Sequence, residues 1–108
     1  MVDVKIEWQP IAIKQLVDHY SFLSEKNERA ALLLYNTLIA APNMLKVFPY
    51  AGQIEPLLTD LPVCYRYLLV IRRFKIIYTV RENIVDIHAV WDCRQNEDTL
   101  KQELGKYI

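Results

Sequence analysis

Cys64–Val70 (CYRYLLV), Arg73–Val80 (RFKIIYTV) and Ile84–Trp91 (IVDIHAVW) are three runs rich in Val, Ile, Tyr and Phe, separated by very short breaks and closed by Asp92-Cys93-Arg94-Gln95-Asn96. Runs of this composition with such short connections read as consecutive antiparallel hairpins. The turns set the expected register. With Ile71-Arg72 as a two-residue turn, Leu69 opposes Phe74, Tyr67 opposes Ile76 and Tyr65 opposes Tyr78. With Glu82-Asn83 as the next turn, Val80 opposes Val85, Tyr78 opposes Ile87, Ile76 opposes Ala89 and Phe74 opposes Trp91. All these pairs are apolar or aromatic, so one face of the meander is expected to be core. The other face then collects Arg66, Lys75, Thr79, Asp86, His88, Arg73, Asp92 and, by continued alternation, Arg94.

Upstream, Val2, Val4, Ile6 and Trp8 alternate with Asp3, Lys5 and Glu7, the period of a half-buried strand. Pro10 suits the first turn of a helix, and Ile13, Leu16, Val17, Tyr20 and Leu23 continue at helical spacing to about Lys26. A second helix is expected from Ser24–Asn27, where Ser and Asn can cap, to Pro42. Met44–Phe48 adds a short helical turn, followed by a loop holding Pro49, Gly52, Pro56 and Pro62. The tail from Glu97 to Leu104 has helix-forming composition, with Leu100 and Leu104 as a small apolar strip. Strand, two-helix hairpin, three-stranded antiparallel meander and short C-terminal helix make an α+β layer with the helices on the apolar sheet face.

A chain of 108 residues suits one hydrophobic core, so residues 1–108 are expected to be a single domain. Lys and Arg total 13 against 13 Asp and Glu, which removes any long-range basic field; nucleic-acid affinity would have to come from local clustering. The apolar stretches fall short of the ~20 residues that cross a bilayer, and no secretory pattern opens the chain, so a soluble cytoplasmic protein is expected. Cys64 and Cys93 lack metal-ligand or redox spacing and read as free thiols. Neither phosphate-cradling loops nor hydrolase motifs occur, and His19, on a predicted helix, and His88, on a strand, have no further His to pair with. No cofactor or metal is implied.

The group that invites chemistry is Arg66, Lys75, His88 and Arg94, because cations held on a rigid sheet can neutralise phosphate and stabilise the charge of phosphodiester cleavage. The plainer reading of the same residues is a solvated sheet face, with Arg73 and Asp92 as an ordinary cross-strand pair. Tyr65, Tyr67, Tyr78 and Trp91 fall on the expected core face. Tyr107 is the one aromatic left for a substrate or partner.

As a whole the pattern resembles the RelE/ParE superfamily of type II toxins, also called plasmid stabilisation proteins. The likeness rests on the strand ending in Trp8, the helices with Leu16, Tyr20, Ala30, Leu34 and Ile39, Phe48-Pro49-Tyr50-Ala51-Gly52 like the family's Pro-x-x-Gly, and the three runs through Arg94. The resemblance implies a cytoplasmic toxin neutralised by a cognate antitoxin. One branch cleaves mRNA on the ribosome with basic side chains; the other inhibits DNA gyrase without a nuclease centre. Arg66, Lys75 and Arg94 match basic positions of the nuclease branch. Leu68 replaces a second basic residue, and no Tyr or His follows closely after Arg94. The depleted set is closer to the ParE-like branch, although Asp92 stands where its members often have histidine. The resemblance thus implies a growth-arresting toxin acting on a protein such as DNA gyrase. The alternative is a ribosome-dependent, metal-independent endoribonuclease in which Arg66, Lys75 and Arg94 neutralise phosphate and His88 or Tyr107 moves a proton. A third possibility is a repurposed member that only binds its antitoxin.

Overall fold

The computed structural model describes residues 3–94. Strand β1 (Lys5–Trp8) leads through Gln9, extended at the N-cap, into helix α1 (Pro10–Ser24), with Pro10 at a first-turn position where no N–H is needed. Asn27 caps helix α2 (Glu28–Ala40) by accepting from the Ala30 N–H at 3.0 Å. Pro42 ends the α-helical hydrogen bonding as expected, and the chain tightens into a 3₁₀ segment, Ala41–Lys46. A two-residue strand β2 (Gln53–Ile54) and a 3₁₀ turn (Pro56–Leu58) precede the meander of β3 (Arg66–Val70), β4 (Phe74–Arg81) and β5 (Ile84–Asp92).

The sheet has five strands in the order β1-β5-β4-β3-β2, with β1 parallel to β5 and the other pairings antiparallel. Its α+β layering matches expectation; the structure adds β2 and seats β1 parallel beside the last strand. The expected C-terminal helix lies outside the described residues. Helix α1 lies across β5, α2 packs on α1, and the first 3₁₀ segment covers β1 and β3. Between them lies the main core: Ala12, Leu16, Leu34, Leu38 and Leu45 against Val70, Phe74, Ile76, Tyr78, Val85, Ile87 and Val90. Among the described residues no helix is long and apolar enough to cross a membrane.

Two register details overturn the expected sorting of side chains. The first hairpin loop holds three residues, Ile71–Arg73, so Val70 rather than Leu69 pairs with Phe74, and every β3 side chain moves to the other face relative to β4. Leu68 and Val70 therefore join the helix side, while Tyr65 and Tyr67 turn to the reverse. In the second hairpin the pairing is as expected from Arg81↔Ile84 to Tyr78↔Ile87, and then His88 is an extra residue in β5. This β-bulge shifts the rest, so Val90 pairs with Ile76, and Ala89 and Trp91 are turned to the reverse face.

The reverse face is consequently not an open ionisable surface. Leu58 packs there with Tyr65, Ile77, Ala89 and Trp91, flanked by Leu57, Leu61 and Tyr67. A second, smaller core thus sits under the loop that precedes β3. Of the five aromatics expected on the core face, Phe74 and Tyr78 face the helices, and Tyr65, Tyr67 and Trp91 do not.

Candidate functional site

Arg66, Lys75, His88 and Arg94 were expected on one sheet face; the structure separates them. Arg66 has the pleat phase of Tyr78, its direct partner on β4, and reaches the loop before β2. It donates from Nη1 to the carbonyl oxygens of Gly52 (3.0 Å) and Tyr50 (3.4 Å), with its guanidinium 5.3 Å from the Tyr50 ring centre. The same loop is held by the Gly52 N–H donating to the buried Tyr78 hydroxyl at 2.9 Å. A Cβ at Gly52 would lie 2.5 Å from Tyr78 Oη and 2.7 Å from the Tyr67 carbonyl oxygen, so only glycine lets the loop come this close. That is the physical reason for the Gly of Phe48-Pro49-Tyr50-Ala51-Gly52.

Lys75 has the opposite phase. Its ammonium donates to Glu55 Oε2 at 2.8 Å over the Tyr67 ring, and Glu55 is fully buried and also accepts from the Leu57 N–H. This cation neutralises an internal acid that caps the 3₁₀ turn.

His88, the bulge residue, is half-buried on the reverse side, with Nε2 2.7 Å from Thr79 Oγ1 and its ring edge-on to Tyr65. Burial lowers its pKa below the ordinary 6.5, and the nearby Asp86 carboxylate opposes that shift only in part. Asp86 is itself held by the Arg81 Nε–H at 2.7 Å and the Gln9 amide at 3.0 Å.

Arg94 lies at the end of β5, where it meets Arg73 across a shared acid. Asp92 accepts from Arg73 Nη2 at 3.1 Å and Arg94 Nη2 at 2.9 Å, as well as from the Arg94 backbone N–H at 3.0 Å. These residues form one wall of a cleft of about 550 Å³ between the sheet and the end of α1. Phe22, Leu23 and Lys26 form the opposite rim, with Leu34 and Phe74 as floor. His19 also lines it, with Nε2 2.8 Å from the Val90 carbonyl oxygen and its ring edge-on to Phe74.

Of the four sequence candidates only Arg94 therefore reaches this concave site. Sequence alone singles out neither Lys26 nor Phe22, and His19 only as a lone histidine, although His19, Phe22 and Leu23 share one face of α1 and Lys26 follows at the same spacing just past its end. Arg73 and Asp92 are legible in the sequence as a cross-strand pair, not as part of a site. Among the described residues no group of three or more His, Cys, Asp or Glu side chains is placed to hold a metal.

The sequence model describing the ParE toxin of type II toxin-antitoxin systems, parDE, matches residues 6–97, nearly the whole chain. The chain belongs to this ParE toxin family. No curated protein matches it. Among solved structures, a chain from the chromosomal ParDE toxin-antitoxin system of P. aeruginosa superposes with a TM-score of 0.69, covering 82% of this chain and 95% of that one at 18% identity. At that identity the likeness speaks to the fold alone. The ParE family match runs from Ile6 in β1 past Arg94, so both the Gly52 loop and the cleft lie inside it.

Proposed function

We propose that this ParE-family chain is a growth-arresting toxin, neutralised in the cytoplasm by a cognate antitoxin, that acts by binding a protein target such as DNA gyrase rather than by cutting RNA. The observation that carries this reading is the dispersal of the three cations a nuclease would need to bring together. Arg66 clamps the Gly52 loop, Lys75 neutralises buried Glu55, and Arg94 shares Asp92 with Arg73. Side chains pointing to opposite faces of a sheet cannot converge on one scissile phosphate. Arg66 and Lys75 are already engaged by internal acceptors, which reduces the field they could offer a transition state.

The test pairs two reactions with the purified chain. DNA supercoiling by gyrase is expected to be inhibited at stoichiometric toxin, while mRNA in a ribosome-containing translation reaction stays intact. Codon-positioned mRNA cuts with unimpaired gyrase would replace this reading with the ribonuclease one. Expression without growth arrest would point to a repurposed, antitoxin-binding member.

A further inference from the structure

The cleft at the end of β5 has a composition that neither fold nor proposed target explains. Among the described residues, three cations, Lys26, Arg73 and Arg94, line the cleft with one carboxylate, Asp92, in a chain whose total charges balance at 13 against 13. Positive charge is therefore concentrated locally. Asp92 is nearly buried and its two oxygens are taken by Nε and Nη2 of both arginines, which among the described residues leaves the Nη1 groups for an incoming acceptor. Arg94 is 63% exposed at its side chain, so that fork is accessible. Directly across, Phe22 is 58% exposed, a large apolar side chain held beside the Lys26 ammonium at 4.5 Å.

We infer that this cleft docks a partner peptide carrying a carboxylate next to a large apolar residue. The carboxylate would bridge Arg94 and Lys26, and the apolar side chain would cover Phe22 above the floor formed by Leu34 and Phe74. A volume of about 550 Å³ lies within the roughly 300–1,000 Å³ of sites that anchor ligand groups. The apolar wall favours a peptide over a nucleic acid. A phosphodiester would leave Phe22 and Leu34 unused and would meet the Asp92 charge with no compensating long-range field. A carboxylate instead matches the planar guanidinium fork, and an amphipathic segment supplies both chemistries at helical spacing. The inference rests on the reading that a protein partner neutralises this toxin, and it names the surface and chemistry that partner uses.

The probe is a short labelled peptide with Glu and Leu at helical spacing, titrated with the full chain by fluorescence anisotropy. Its controls are the same peptide with Lys for Glu and a single-stranded oligoribonucleotide. Binding is expected for the acidic peptide only, weakened about ten-fold by Arg94→Glu and by Phe22→Asp, the size of a lost charge-assisted bond or anchor contact. Both positions are exposed, and circular dichroism checks that both variants stay folded. Equal binding of the basic peptide, unchanged affinity in both variants, or preference for the oligoribonucleotide would overturn the inference. A photo-cross-linker replacing Phe22 is expected to capture the peptide; capture of residues 95–108 of the same chain would overturn it in favour of self-occupancy. The two readings fail separately. If the protein encoded beside this gene binds wild type and Arg94→Glu equally well, the cleft is wrong and the antitoxin reading stands. If the peptide binds in the cleft but no neighbouring product does, the antitoxin reading is wrong and the cleft stands.

Discussion

Lys75 and Glu55 illustrate how a side chain that looks catalytic in sequence can be an internal counter-ion. Glu55 is fully buried, so removing its cation leaves an uncompensated charge in a low-dielectric site. Lys75→Ala should lower unfolding free energy by about 3 kcal/mol in urea titration, whereas Glu55→Gln with Lys75→Met should be near neutral. A Lys75→Ala change within about 0.5 kcal/mol would mean that water solvates Glu55 after all. The Gly52 contact makes a second expectation. Gly52→Ala must displace the Tyr67 carbonyl or the Tyr78 ring, and Tyr78→Phe leaves the Gly52 N–H without its acceptor; each should cost about 1–3 kcal/mol. His88 carries a pH dependence whose sign follows from its lowered pKa. Below about 6.5 the unfolded chain takes up a proton that the folded His88 resists, so stability from this group is complete above that pH and declines as pH falls toward the folded value. Between pH 7 and 5 the melting temperature of wild type should fall more than that of His88→Gln. Parallel curves would remove His88 from the account.

At the scale of elements, the residues decided which segments become strands and helices, and the irregularities decided which way their side chains point. Alternation, Pro10, Asn27 and Pro42 were legible because each acts locally through backbone geometry or a single cap. The sheet faces were not, because one extra loop residue at Arg73 and one extra strand residue at His88 each invert everything beyond them. Nothing in the composition marks either. Ile71 and Arg72 adopt φ of 47° and 57°, a left-handed conformation that a β-branched residue avoids, so this turn lacks the Asn or Gly that would have announced it. The strain can be relieved. Replacing Ile71-Arg72 by Asn-Gly should stabilise the fold by about 1 kcal/mol and raise the melting temperature, since both new residues accept positive φ. An unchanged or lower melting temperature would show that Ile71 contributes packing that outweighs its backbone cost.

For the whole molecule, the arrangement of helices over one sheet face was readable from the order of elements, but the placement of the candidate site was not. Arg66, Lys75 and Arg94 are close in the linear pattern, and the corrected register sends them to a loop clamp, a buried ion pair and a cleft rim. This dispersal turns the choice between a binding toxin and a nuclease into an experiment that does not depend on fold loss. Lys75→Ala alone is uninformative in cells, because the destabilised chain would lose growth arrest under either reading. Glu55→Gln with Lys75→Met removes the cation and its buried acid together, so the fold should survive. Growth arrest on induction should then match wild type within about two-fold in expression level, since neither side chain is exposed enough to form a large part of a protein interface. Were the folded double variant harmless, with its melting temperature intact, Lys75 would have to act on substrate directly. The dispersed cations would then be brought together only in a complex, and the binding-toxin reading would give way to the nuclease one.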